Sequence, residues 1–191
     1  MAAGLLGKTD IYHEYASQLE IQNLRESGHN LGSHTYSHVS VRTLNKSKLL
    51  FEILHNDITL EQLSGESRIN HFSYPFGKIS FRAKRLLKPR FATMRGIRAG
   101  INAGRIDFAE LRAIPIYGRS WPDSDILYYI SKVVEAKGWL IFYTHDICNT
   151  PSLWGTTPAF FKRLVMATLD SEAEIMNVDR AFNKISNSLR V

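Results

Sequence analysis

The stretch GHNLGSHTYSH, residues 28–38, decides how the rest of the chain is read. It opens on Gly28, which stops a preceding helical pattern, and closes on two histidines four apart, His34 and His38. Between them, HNLGSH reads as a short strand. A His-x-x-x-His spacing puts two imidazoles on one side of a turn, where both reach one ion. By itself the pair fits a polar surface turn as well as a metal site. What the chain offers elsewhere has to decide.

Working outward, helix-like and strand-like segments alternate. Residues 12–28 read as a helix that turns Leu19 and Leu24 toward a core and stops at Gly28. Residues 45–66 place apolar side chains at 49, 50, 53, 54, 58 and 63, a helical spacing that Gly65 ends. NHFSYPFG (70–77) is a short strand broken by Pro75 and Gly77. A helix then runs through Leu87 and stops at Pro89. FATMRG (91–96) and ELRAIPIYG (110–118) are strands, and Pro115 denies the second one a ladder donor, which marks it as interrupted or at an edge.

Residues 122–138 form a helix capped by Asp123 or Ser124 and closed by Gly138. WLIFYTH (139–145) is a continuous apolar strand of the kind buried on both faces of a parallel sheet. TTPAFFKRLVMATLD (156–170) is a helix with Thr157 as N-cap and Pro158 in its first turn. AEIMNV (173–178) is a last strand, followed by a last helix. Repeated β-then-α units predict an α/β fold with a parallel sheet. No glycine-rich phosphate loop follows any strand, which counts against a nucleotide-binding version.

The length of 191 residues suits one domain, 1–191, with a real core. A single cysteine, Cys148, excludes an internal disulfide and fits a reducing compartment. No run approaches the ~18 apolar residues of a membrane span. The opening MAAGLLGKTD lacks the features of an export signal, so a cytoplasmic location is expected. The net charge of +6 permits an anionic partner. The basic residues are nevertheless dispersed, and the densest run, FRAKRLLKPR (81–90), comes with no nucleic-acid-binding pattern. No nucleic-acid partner is expected.

Three segments bring reactive groups to the same place in the pattern. His34 and His38 follow one strand; Tyr74, Pro75 and Phe76 end a second; His145 and Asp146 end a third. In parallel α/β folds, sites assemble at the carboxyl ends of strands. With these on the page, GHNLGSHTYSH closely resembles the second motif of the polysaccharide deacetylase family (NodB homology, carbohydrate esterase 4). FSYPFG resembles its third motif and LIFYTHDI its fifth, in the family's order.

The resemblance implies a distorted, incomplete (β/α) barrel and metal-dependent hydrolysis of N- or O-acetyl groups on an oligo- or polysaccharide. By analogy His34 and His38 bind a divalent metal, zinc first among candidates. The Phe76 N–H helps hold the oxyanion, and His145 protonates the leaving amine. Tyr74, Pro75, Phe76, Trp121 and Tyr143 line the groove, while Asp146 and either Asp123 or Asp125 support His145.

The resemblance also breaks. The family's first motif is Thr-Phe-Asp-Asp, which supplies the general base and the third metal ligand, and this sequence has no Asp-Asp pair anywhere. The chain opens where the second strand of such a domain should be ending. It therefore reads as lacking the first strands, with a mis-assigned start as the expected cause. Ser73 stands where many members have an arginine, and Tyr143 where many have leucine. Weak metal binding, impaired hydrolysis and association of copies through exposed sheet edges are expected. The alternative reading is a non-catalytic carbohydrate-binding relative that holds sugar through Trp121, Tyr74 and Phe76.

Overall fold

The computed structural model describes residues 1–9, 14–117 and 121–188, apart from the side chain of Asp123. His13 lies outside the described residues, and so does the Asp123 side chain as a partner for His145. The chain forms two compact units. One comprises residues 1–96, 108–111 and 177–191; the other comprises 97–107 and 112–176.

The first unit holds a three-stranded parallel sheet, β1 (Gly32–Ser33), β2 (His71–Ser73) and β3 (Thr93–Arg95), in that order. Helices α1 (Gln18–Glu26), α2 (Lys46–Ser64) and α3 (Phe81–Leu87) precede the three strands in turn or link them, and α6 (Val178–Ser188) belongs to the same unit. Helix α1 starts six residues later than the sequence pattern implies. Ser17 caps it and exchanges hydrogen bonds with Glu20 in a capping box. That start sets the helix phase, so Ile21 is fully buried while Leu19 and Leu24 are exposed, contrary to expectation.

Helix α2 runs from an Asn45 cap to Gly65, as the spacing predicts. Its inner stripe is Leu49, Ile53, Asn56, Asp57 and Leu60, so two polar residues sit where apolar ones belong. Leu54 and Ile58, which share the helical apolar spacing, are exposed. Asn56 repays its burial with three hydrogen bonds, to the Ala3 N–H, the Met1 carbonyl and the Ser33 hydroxyl. Asp57 pairs with Arg90. Under the sheet, Phe72 stacks on Phe91 and meets Tyr74 edge-on. At the amino-terminal end of the strands, His71 sits between the Thr93 hydroxyl at 2.8 Å and the Asp179 carboxylate at 2.7 Å, tying α6 to the sheet.

The second unit holds a two-stranded parallel pair, β4 (Ile114–Pro115) and β5 (Phe142–Tyr143), with helices α4 (Asp123–Glu135) and α5 (Pro158–Leu169). Its core gathers Ile116, Ile126, Ile130, Phe160 and Leu164. Pro115 sits in a strand with one neighbour, as a missing ladder donor requires. The apolar run 139–143 falls short of expectation. Only two residues are strand, both half-buried, because β5 pairs with β4 alone. Trp139 instead pairs antiparallel with Asn102.

Two further expectations change. Helix α4 has Pro122 at its N-cap with no side-chain cap. It ends with Lys137, not Gly138, in the left-handed region. Gly138 is required for another reason: a Cβ there would lie 2.9 Å from the Asn102 carbonyl oxygen. Residues 173–177 form no strand. Asn177 instead accepts the Arg180 N–H and begins α6. No helix among the described residues is long and apolar enough to cross a membrane.

Candidate metal-binding and catalytic site

In the first unit, His34 follows the last residue of β1, and Tyr74 follows the last residue of β2. The strands are parallel, so both loops leave the same edge of the sheet. The His34 and His38 rings lie 4.9 Å apart, centre to centre, tilted by 39°. The His34 Nδ1 sits 2.7 Å from the Ser73 carbonyl oxygen and 2.8 Å from the Ser73 hydroxyl. A carbonyl only accepts, so Nδ1 carries the proton and Nε2 keeps its lone pair. A ligating histidine is commonly oriented in this way. Burial, first, holds His34 well below the ordinary histidine range; the Met1 amine, His38 and Arg95 add to this, and the Ser73 carbonyl opposes it.

The loop that carries the pair is held at several points. The Tyr36 N–H donates to the Glu52 carbonyl, and the Ser37 N–H to the Glu52 carboxylate at 2.8 Å. Tyr36 stacks on His55 at 3.8 Å. Thr35 is fully buried, and its hydroxyl takes the Val39 N–H at 3.1 Å. Among the described residues, three of the four non-glycine residues with positive φ gather here: Thr35 at 55°, His38 at 54° and Phe76 at 58°. Each such conformation costs about 1–3 kcal/mol, and such strain clusters at functional sites. Phe76 is 54% exposed and its ring lies 4.6 Å from that of His38.

Two imidazoles bound to one tetrahedral zinc at about 2.0–2.1 Å place their ring centres about 5 Å apart. The 4.9 Å observed agrees. Among the described residues, no group of three or more His, Cys, Asp or Glu side chains is placed to hold a metal. His34 and His38 thus fit two ligand positions and no third.

Tyr74 departs from its expected place. It is 2% exposed, and its hydroxyl donates to the Ala109 carbonyl at 3.1 Å, so its ring belongs to the core and not to a groove wall. Pro75 is buried as well. Ser73, noted in the sequence only as a departure, is the residue that orients His34; no spacing signal announces it.

In the second unit, His145 is exposed just beyond β5. Tyr117 and Trp154 flank it, with ring centres 6.3 and 6.5 Å away. Tyr143 meets Tyr117 edge-on, their hydroxyls 3.3 Å apart. Trp121 is half-buried against Tyr129 and the unit's core. Trp154 is therefore the aromatic beside His145, and nothing in the periodicity picks it out. Asp125 is exposed on the first turn of α4.

Asp146 accepts from the Ser152 hydroxyl at 2.6 Å and the Ser152 N–H at 3.0 Å, which fastens the loop after His145. A Cβ on Gly155 would fall 2.2 Å from the Asp146 carboxylate. Gly155→Ala is expected to push that carboxylate off Ser152 and to cost about 1–3 kcal/mol, read by chemical denaturation.

With this geometry in view, the likeness to known proteins is specific. The polysaccharide deacetylase family model matches residues 7–89. That match covers less than half of the chain and includes the strand-end histidine pair, so over this segment the chain is similar to the polysaccharide deacetylase family. The fold reaches further. A Mycobacterium smegmatis protein assigned as a polysaccharide deacetylase superposes with a TM-score of 0.59 at 12% identity, covering 90% of this chain and 68% of that one. A family 4 carbohydrate esterase from Bacillus anthracis gives 0.56 at 14% identity, covering 87% and 62%. A family 4 pseudoenzyme from the same organism gives 0.54 at 8% identity, covering 86% and 50%. The fold is thus the α/β fold of these esterases with an incomplete set of barrel strands. The chain spans as little as 35% of the length of some structures it matches. No curated protein matches it.

Proposed function

We propose that this chain is the cation-binding part of a carbohydrate deacetylase, a hydrolase that removes N- or O-acetyl groups from an oligo- or polysaccharide. One observation carries the reading: two imidazoles 4.9 Å apart at a strand end, one of them turned by Ser73 to present Nε2. His34 and His38 would hold a divalent ion, zinc by the nitrogen donors. Such an ion supplies Lewis acidity and a bound water of lowered pKa. The Phe76 amide would meet the developing oxyanion. By its motif, His145 would give a proton to the departing amine. Pro75 shapes the Phe76 turn, and Trp121 and Tyr143 are proposed to border the sugar.

With two protein ligands the ion would be held loosely and hydrolysis would be slow. A second reading, a non-catalytic sugar-binding relative, is favoured by the lack of a third ligand among the described residues. The test is acetate release from an N-acetylated chito-oligosaccharide with added zinc, run beside sugar binding. Slow, zinc-dependent release that disappears in His38→Ala supports the deacetylase. Binding without release supports the second reading, and neither binding nor release overturns both.

A further inference from the structure

We propose that a groove between the start of α2 and the length of α3 binds an anionic group of the polymer, so that the preferred substrate is an acidic polysaccharide. This rests on the carbohydrate reading above. Both helices begin where the loops from β1 and β2 end, so Lys46 and Phe81 lie toward the sheet edge that carries His34, His38 and Phe76, and the groove runs from there along α3 to Pro89. It has a volume of about 430 Å³ and is lined by Lys46, Phe81, Arg82, Arg85, Leu86 and Pro89.

Its floor is apolar and its rim is cationic. Phe81 is 81% exposed, a flat apolar shelf of the kind on which the C–H face of a pyranose rests. Two other cations of this region are already matched: Lys84 pairs with Glu110 and Arg90 with Asp57. Lys46, Arg82 and Arg85 have no acidic partner among the described residues, and Arg82 spends one N–H on the Leu44 carbonyl. No Asp or Glu occurs between Glu26 and Glu52, or between Glu66 and Asp107. A merely solvated surface mixes both signs. Here three cations face one apolar groove, and arginine is suited to carboxylate and phosphate groups. A concave groove favours a charged glycan over a membrane, which an apolar shelf in a hollow would not reach.

The test compares binding of an oligogalacturonate and a neutral N-acetylchito-oligosaccharide of equal length by calorimetry at low salt. It uses the whole chain and its Lys46→Glu/Arg85→Glu variant. Both side chains are exposed, and an unchanged melting temperature confirms folding. The oligogalacturonate is expected to bind about tenfold or more tightly than the neutral sugar. That advantage should vanish in the variant and shrink with salt, while neutral-sugar binding stays the same. Equal binding of the two sugars, or a variant that keeps the preference, overturns the groove assignment alone. Binding of neither sugar overturns the carbohydrate reading with it. Phosphatidylglycerol vesicles or duplex DNA captured through these residues, without the oligogalacturonate, also overturn it.

Discussion

Arg90→Met is expected to destabilise the first unit by about 3 kcal/mol, read by chemical denaturation. Asp57 has no exposed side-chain surface, and its Oδ2 lies 2.6 Å from the Arg90 guanidinium. Its other oxygen, Oδ1, has no hydrogen bond. Burial pushes the Asp57 carboxyl up, and the Ser33 hydroxyl and Arg90 pull it back. Without Arg90 the buried carboxylate loses its charged partner. A carboxyl whose folded pKa lies above its unfolded one binds more protons when folded. Its stabilising share is thus full at low pH and lost as pH rises through the folded pKa. The loss in Arg90→Met should therefore shrink below the ordinary carboxylate range and grow above it. Asp57→Asn in the same background should recover part of the loss; failure to recover any would remove the buried charge as the cause.

Tyr74→Ala is expected to cost about 3–5 kcal/mol, the range for emptying a large core site. The ring is buried against Phe72. Tyr74→Phe keeps the ring and removes the donor to the Ala109 carbonyl, for a cost of about 1–2 kcal/mol. A groove-lining tyrosine would behave otherwise: both variants would fold normally and only sugar binding would fall. Denaturation curves beside sugar titrations separate the two.

The legible parts of this fold are those that local chemistry determines alone. Gly65 ending α2 and Thr157 with Pro158 opening α5 follow from residue types a few positions apart. The histidine pair was legible for the same reason. What escaped depends on partners distant in sequence. Leu54 and Ile58 share an apolar pattern with Leu49 and Ile53, yet the inner face of α2 belongs to Asn56 and Asp57. These two are tolerated because Ser33 and Arg90 meet them from elsewhere. Tyr74 ends a strand beside a functional turn, but the Ala109 carbonyl draws its hydroxyl inward. The run 139–143 looks like a central strand, and only the sheet's composition leaves it with one neighbour. Ser73 shows in its motif only as a departure and Trp154 in no motif at all, and their roles come from where His34, or His145, lies.

The most direct test is a zinc titration of the purified chain and of its His38→Ala variant, followed by calorimetry at neutral pH. One ion should bind, in the micromolar range or weaker, and binding should be lost in the variant; each 1.4 kcal/mol of missing ligation is tenfold in affinity. Nanomolar, near-stoichiometric binding would contradict a site built on two histidines, and binding indifferent to His38 would contradict the site itself.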